Sequence, residues 1–231
     1  MSKRNWVIAP PVPAELRSSF PEIPEVLLQL LYNRGLRSRP QIDAFLNPDY
    51  GEDLHDPFLF APMATAVERV LQAAQRKESV LVYGDYDADG VCGSVLLVEL
   101  LRTLGLSPDI YIPYRESEGY GLNSGAVEEI ISRGIKLVIT VDCGVSNAAE
   151  VQQLVDGGVD VIVTDHHEPP VQLPPALAVI NPKITGIGYP YAELSGTGVA
   201  FKLAQALLSE RTRRAHPLAA FPAVGWEKWL L

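Results

Sequence analysis

The sequence predicts an α/β fold: a mostly parallel sheet with helices on both faces, preceded by a small helical N-terminal lobe. Three observations carry this reading. From about residue 62, strand-like and helix-like segments alternate, as they do in sheets built from strand–helix–strand units. The strand-like runs, such as Val80-Leu81-Val82-Tyr83 and Leu137-Val138-Ile139-Thr140-Val141, are almost continuously apolar, which marks strands covered on both faces. Polar clusters follow these runs directly, and parallel strands bring their carboxyl ends to one edge.

Residues 1–60 read as the helical lobe and 61–231 as the second domain. In the lobe, Pro24 to Leu31 forms a short helix that stops before Gly35, and Arg39 to Leu46 forms another that ends at Asn47-Pro48. A helix then covers roughly 62–77, with Ala66, Val70, Leu71 and Ala74 at helical spacing. A strand follows at 79–84, a helix from about 90 to 104 and a strand at 109–113. Asn123-Ser124 caps a helix that stops at Gly134. The next strand is 136–141. Ser146 is expected to cap a helix ending at Gly157-Gly158, and Val159 to Thr164 is a further strand. Ala176 to Ile180 reads as one more. Gly198 to Leu208 is helical, and another helix begins at Trp226.

Of the 231 residues, 47% are hydrophobic, so the chain can bury a substantial core. No apolar run reaches the roughly 18 residues that span a bilayer. Prolines at 10, 11 and 13 interrupt any signal-peptide core, and the two cysteines, Cys92 and Cys143, form no C-x-x-C pair. The expectation is a cytoplasmic protein in a reducing compartment. Cys143 follows Asp142 closely, but a small buried residue is the simpler reading than a nucleophile. The formal charge is −9, which argues against strong nucleic-acid binding by this surface alone.

Asp85, Asp87 and Asp89 follow the strand at 79–84 at alternate positions, and Gly90 then turns the chain into the next helix. Aspartate is poor in strands and like charges repel, so a divalent cation between them explains the triplet better than an acidic helix cap. If the segment stays extended, the three share one face. Asp142 follows the strand at 136–141. With Ser146 as the cap, Asp142 is free to be a ligand, and a central carboxylate can bridge two ions. Asp165-His166-His167 ends the strand at 159–164. His166 is read as a metal ligand, Asp165 as the group that orients a histidine, and His167 as a phosphate binder or general acid. Histidine mixed with carboxylates favours Mn²⁺ over Mg²⁺.

Two other features admit two readings each. Arg115, in the loop Tyr114 to Asn123, either holds a phosphate or belongs to an ordered surface loop, and a tyrosine of that loop could stack on a base. Ser195 and Gly196 open a helix whose N–H groups either hold a phosphate or are capped in the ordinary way. Lys202, one turn further, tips the balance toward anion binding. There is no G-x-G-x-x-G and no G-K-[ST].

In this order, GDYDADG, VDCG, TDHH and SGTGVAFKL resemble the DHH phosphoesterase superfamily, and IPYRESEGYGLN, INPK and the N-terminal NRG and FLNP segments are similar to its RecJ-like single-stranded-DNA-specific exonucleases. The resemblance implies hydrolysis of phosphodiester bonds with two ions, Mn²⁺ or Mg²⁺. For the RecJ-like members it implies 5′-to-3′ release of mononucleotides from single-stranded DNA in recombination and repair. It implies metal ligands at Asp87, Asp89, Asp142 and His166, with Asp85 beside them. Asp142 and His167 would be catalytic, in a monomer that works with recombination and single-strand-binding proteins. Many relatives carry histidine where Tyr83 stands, which would hand one ligand position to Asp85. The resemblance also implies a further metal-binding aspartate and a second domain beyond Leu231. Two other readings are a DHH phosphodiesterase acting on short oligonucleotides or cyclic dinucleotides, and a non-catalytic binding or scaffold protein.

Overall fold

The computed structural model describes residues 7–49 and 53–214, and side chains of the last helix as far as Ser209. The helix expected from Trp226 lies outside the described residues. The chain divides into two compact units, Met1–His55 and Asp56–Leu231.

The first unit is helical: α1 (Ala14–Ser19), α2 (Glu25–Asn33) and α3 (Arg39–Leu46). The helix α1 has no strong start signal in the sequence, which does not predict it. Val12, Phe20, Leu28, Leu31 and Ile42 form a small buried cluster of their own. The Gln29 side chain ties the incoming chain to α2 by accepting from the Val12 N–H and donating to the Pro10 carbonyl.

The second unit opens with a 3₁₀ turn, Pro57–Leu59, and α4 (Met63–Arg76). It continues as β1 (Val80–Gly84), α5 (Ala88–Thr103), β2 (Asp109–Tyr111), α6 (Ser124–Ser132), β3 (Leu137–Val141), α7 (Ala148–Asp156), β4 (Asp160–Thr164), β5 (Ala178–Ile180) and α8 (Gly196–Arg214). The five strands form one sheet in the order β2-β1-β3-β4-β5, and every pairing is parallel. The α/β class and the order of the elements agree with the sequence reading.

Three helix starts differ from it. α8 begins at Gly196 rather than Gly198. α5 begins at Ala88 rather than about 90, because Asp87 caps it by accepting from the Asp89 and Gly90 N–H groups. α7 begins at Ala148 without a side-chain cap, so Ser146 does not play the expected role.

Chain reversal explains how the helices are shared between faces. β1 steps to β2 in one direction, and β3 and β4 then run back past β1 in the other. Right-handed crossovers put helices from opposite steps on opposite faces. Leu81 and Tyr83 of β1, Val138 of β3, and Val161 and Val163 of β4 pack with Ala126, Val127 and Ile130 of α6 and Val151 and Leu154 of α7. On the other face, α5 contacts β1, β2 and β3, α8 contacts β3 and β4, and α5 and α8 pack on each other. The direction reverses between β1 and β3, and that crevice is where a doubly wound sheet binds ligands.

At the opposite end of the sheet, the Arg69 guanidinium joins the strand starts. It lies 2.6 Å from Glu78, ahead of β1, and 2.6 Å from Asp160 of β4, and also donates to the Lys136 carbonyl. Burial alone would lower its pKa, but these two carboxylates raise it.

Candidate metal centre

The site begins as one row of the sheet. Gly84, Val141, Thr164 and Ile180 are neighbours in the parallel ladder. The residue after each therefore arrives at the same edge: Asp85, Asp142, Asp165 and Asn181. The ladder itself runs one bond further. The Asp85 N–H donates to Val141, that of Asp142 to Thr164, and that of Asp165 to Ile180, at 2.9–3.2 Å. Asn181 is thus the fourth member of the row. Its amide donates to the His167 carbonyl at 2.9 Å. Its position directly after an apolar strand, like that of the three aspartates, is the signal that could have found it.

Beyond the row the carboxylates diverge. Asp142 has φ +62°, a left-handed conformation that costs a non-glycine residue energy and tends to mark functional positions. Its side chain is buried, and Oδ1 lies 3.1 Å from His166 Nε2. Asp85, Asp87 and Asp142 each present an oxygen within 4.8 Å of the others, and Asp142, His166 and His167 form a second such group. Asp142 belongs to both. The Asp85 Oδ1 and Asp142 Oδ1 atoms are buried and make no hydrogen bond. Burial, and then the charges of Asp89, Asp87, Asp165 and Asp85, push the Asp142 carboxyl up to about 8. Burial likewise raises Asp85. A buried carboxylate oxygen left without a hydrogen bond is costly, and a divalent cation supplies what these atoms lack.

The triplet does not stay extended as the sequence reading supposed. Asp87 is exposed and caps α5, while Asp89 sits in the first helical turn facing α8. Asp89 Oδ2 accepts from the Gly196 N–H and Oδ1 from the Thr197 N–H, each at 2.7 Å. Burial would raise the Asp89 pKa, but the bonds from Thr197, Gly196 and Ser195 outweigh it and the carboxyl is lowered. Asp89 Oδ2 also lies 3.7 Å from His166 Nε2.

These bonds correct the reading of Ser195 and Gly196 as a phosphate cradle. The N–H groups of Gly196 and Thr197 go to Asp89, and the Ser195 hydroxyl accepts from Gly198 as an ordinary cap. Gly196 has a different reason to be glycine. A Cβ there would stand 2.4 Å from Asp142 Oδ1, inside the space the carboxylate occupies. Lys202 is corrected too. It is buried, its Nζ donates to Gln205 and lies near the rings of Tyr189 and Phe201, and burial lowers its pKa to about 8. Asp56 is a charged neighbour that acts in the other direction.

Asp165 is buried and fully engaged. It accepts from the N–H groups of Val145, His166 and His167, and its Oδ1 lies 2.8 Å from His167 Nδ1. The histidine it orients is therefore His167. The Tyr120 hydroxyl, 3.0 Å from the same nitrogen and 3.0 Å from the Asp142 carbonyl, also joins the site. The sequence offered Tyr120 only as a base-stacking ring. Arg115, on the same loop, lies over the Tyr86 ring at 5.1 Å and is exposed.

Tyr83 turns away from the centre. Its ring stacks on Tyr111, and its hydroxyl donates to the Gly121 carbonyl at 2.9 Å, within the α6–α7 face of the core. Cys143 is buried, and burial holds its thiol protonated, as expected of a packing residue.

Residues 79–225 match the family described as the DHH family, N-terminal domain. The single-stranded-DNA-specific exonuclease RecJ of Bacillus subtilis (strain 168) is 40% identical over 225 residues, which cover 96% of this chain and 28% of that protein. A crystal structure of exonuclease RecJ bound to manganese is 36% identical, with a TM-score of 0.60 over 73% of this chain and 46% of that one. RecJ from Thermus thermophilus matches both in complex with Mn²⁺ (31% identity, TM-score 0.63, 89% of this chain and 28% of that one) and with Mg²⁺ (25%, 0.52, 94% and 28%). This chain thus spans under a third of the length of the Bacillus protein. The matched segment runs from β1 past the described end of α8 and contains every strand end that builds the centre: the chain belongs to the DHH family.

Proposed function

We propose that this chain carries the metal centre of a phosphodiesterase that degrades single-stranded DNA from its 5′ end to mononucleotides, in cytoplasmic recombination and repair. Residues 1–60 would be an accessory lobe and 61–231 the catalytic domain. The observation that carries the proposal is Asp142: one buried carboxylate, lacking a hydrogen bond at Oδ1, shared by two groups of donors. The likeness to single-stranded-DNA-specific exonucleases supports the choice of substrate.

The donor set fits Mn²⁺ or Mg²⁺. Neighbouring ligands around an octahedral ion with bonds of about 2.1 Å stand about 3 Å apart. Asp142 Oδ1 and His166 Nε2 are separated by 3.1 Å. Asp85, Asp87 and Asp142 would hold one ion, and Asp142, His166 and Asp89 the other. When bound, such ions lower the pKa of a water and polarise phosphate oxygens. The chain's own residues do the rest. Asp165 holds His167 so that Nε2 points outward to a phosphate or leaving group. Arg115, exposed beside Tyr86, pairs with the phosphate backbone. Asp89, held by α8, fixes the far wall.

Titration calorimetry with Mn²⁺ tests the centre, and hydrolysis of 5′-labelled single strands, duplexes and dinucleotides tests the substrate. Binding that needs Asp142, together with preference for long single strands, is expected. Turnover of dinucleotides alone would favour the short-oligonucleotide reading, and binding without turnover of any of them would favour the scaffold reading.

A further inference from the structure

We propose that Tyr120 is a positioning residue for this centre: its hydroxyl holds the orientation of His167, whose tautomer Asp165 sets, and anchors the left-handed peptide of Asp142. The proposal rests on the metal-centre reading above.

Hydrogen-bond accounting leads to it. His167 Nδ1 lies 2.8 Å from Asp165 Oδ1 and 3.0 Å from the Tyr120 oxygen. A carboxylate can only accept, so the proton must sit on Nδ1. The phenol therefore cannot spend its single proton on that nitrogen. Its other neighbour is the Asp142 carbonyl at 3.0 Å, which also only accepts. One arrangement satisfies every group: Tyr120 donates to Asp142, and His167 Nδ1–H is shared between Asp165 and the phenol oxygen. Nε2 is then the ring nitrogen left for a proton, an ion or a phosphate oxygen.

The ring contacts fix the orientation as well. The Tyr120 ring meets the His167 ring edge-on, with centroids 5.4 Å apart, and His167 meets His166 the same way at 4.7 Å. The tyrosine thus bridges two strand ends, after β3 and after β4. It does so from the loop that carries Arg115. That loop has its own anchor at Glu118, which accepts from the Tyr114 N–H at 2.8 Å and from Asn123 at 3.1 Å. Placement of the loop and placement of His167 are therefore linked through one hydroxyl.

Tyr120→Phe keeps the ring and deletes the link. In ¹⁵N NMR of histidine-labelled protein, wild-type His167 should show one pyrrole-like nitrogen and one pyridine-like nitrogen. In the variant the pyrrole-like Nδ1 signal should shift and broaden, as its proton bonds to Asp165 alone and the ring loses its fixed orientation. Affinity for Mn²⁺, by calorimetry, should fall about 10–100-fold, as for the loss of other outer-shell partners. Where single-stranded DNA is hydrolysed, kcat should fall with little change in KM. Tyr114→Phe, in the same loop, is the control and should change none of these. Unchanged His167 nitrogens with Mn²⁺ affinity within twofold of wild type would overturn the proposal. A rise in KM alone would also overturn it, by making Tyr120 a substrate contact. If wild type binds Mn²⁺ but hydrolyses nothing, the hydrolase reading falls, and the NMR and calorimetry still decide the role of Tyr120.

Discussion

Asp89 and Thr197 hold each other by both main chain and side chain. The Thr197 N–H donates to the Asp89 carboxylate at 2.7 Å, and the Thr197 hydroxyl donates to the Asp89 carbonyl at 2.8 Å. A carboxylate at a helix N-terminus is favoured by the unsatisfied N–H groups there. Asp89 therefore has a structural role as well as its proposed place in the centre. Asp89→Ala should destabilise the metal-free protein by about 1–2 kcal/mol, the loss of a helix cap. Thr197→Val should cost about 1 kcal/mol, one hydrogen bond. Urea unfolding in chelator measures both.

Asp142 should behave in the opposite way. Its carboxyl is raised from an ordinary 3.8 to about 8 by burial and then by the surrounding carboxylates. For a group raised on folding, the stabilisation is complete below the unfolded pKa and is lost as pH rises through the folded one. The metal-free melting temperature should therefore fall between pH 4 and 8. Mn²⁺ should restore it most at the upper end, because protons no longer compete for the ligand. Asp142→Asn should flatten this pH dependence, match or exceed wild-type stability at pH 8 without metal, and lose Mn²⁺ binding. Thermal melts from pH 5 to 8.5, with and without Mn²⁺, would show it.

Gly196 tests the geometry of the centre without touching a ligand. The added methyl group of Gly196→Ala would stand 2.4 Å from Asp142 Oδ1, and the carboxylate would have to move. No left-handed backbone is involved at this position, so folding should survive. Mn²⁺ affinity should drop about tenfold or more, in the range of altered metal-site surroundings. Calorimetry, with circular dichroism to confirm folding, checks this.

Tyr83 should prove indifferent to metal. Tyr83→Phe removes the bond to the Gly121 carbonyl and should cost about 0.5–1.5 kcal/mol while leaving Mn²⁺ affinity unchanged. Asp85→Asn should do the reverse, weakening Mn²⁺ binding with little loss of metal-free stability. Unfolding curves and calorimetry on both variants separate the two roles.

The alternation of strands and helices, the parallel sheet, and the arrival of Asp85, Asp142, Asp165 and His166 at one edge are legible in the amino-acid order. Apolar periodicity and burial on both faces dictate these, and both are local properties of the chain. What each polar group spends its hydrogen bonds on depends instead on contacts made across the fold. Asp89 lies 107 positions from Gly196, so nothing in SGTG reveals that its N–H groups are already taken. Lys202 read as an anion binder because one-turn spacing says nothing about which side of α8 faces the sheet edge. Tyr83 stands where many relatives carry histidine, and only the fold shows its ring in the α6–α7 face of the core with its hydroxyl on the Gly121 carbonyl. Local pattern fixes which residues reach the edge of the sheet. The partners that complete their bonds come from distant segments, and only folding brings those together.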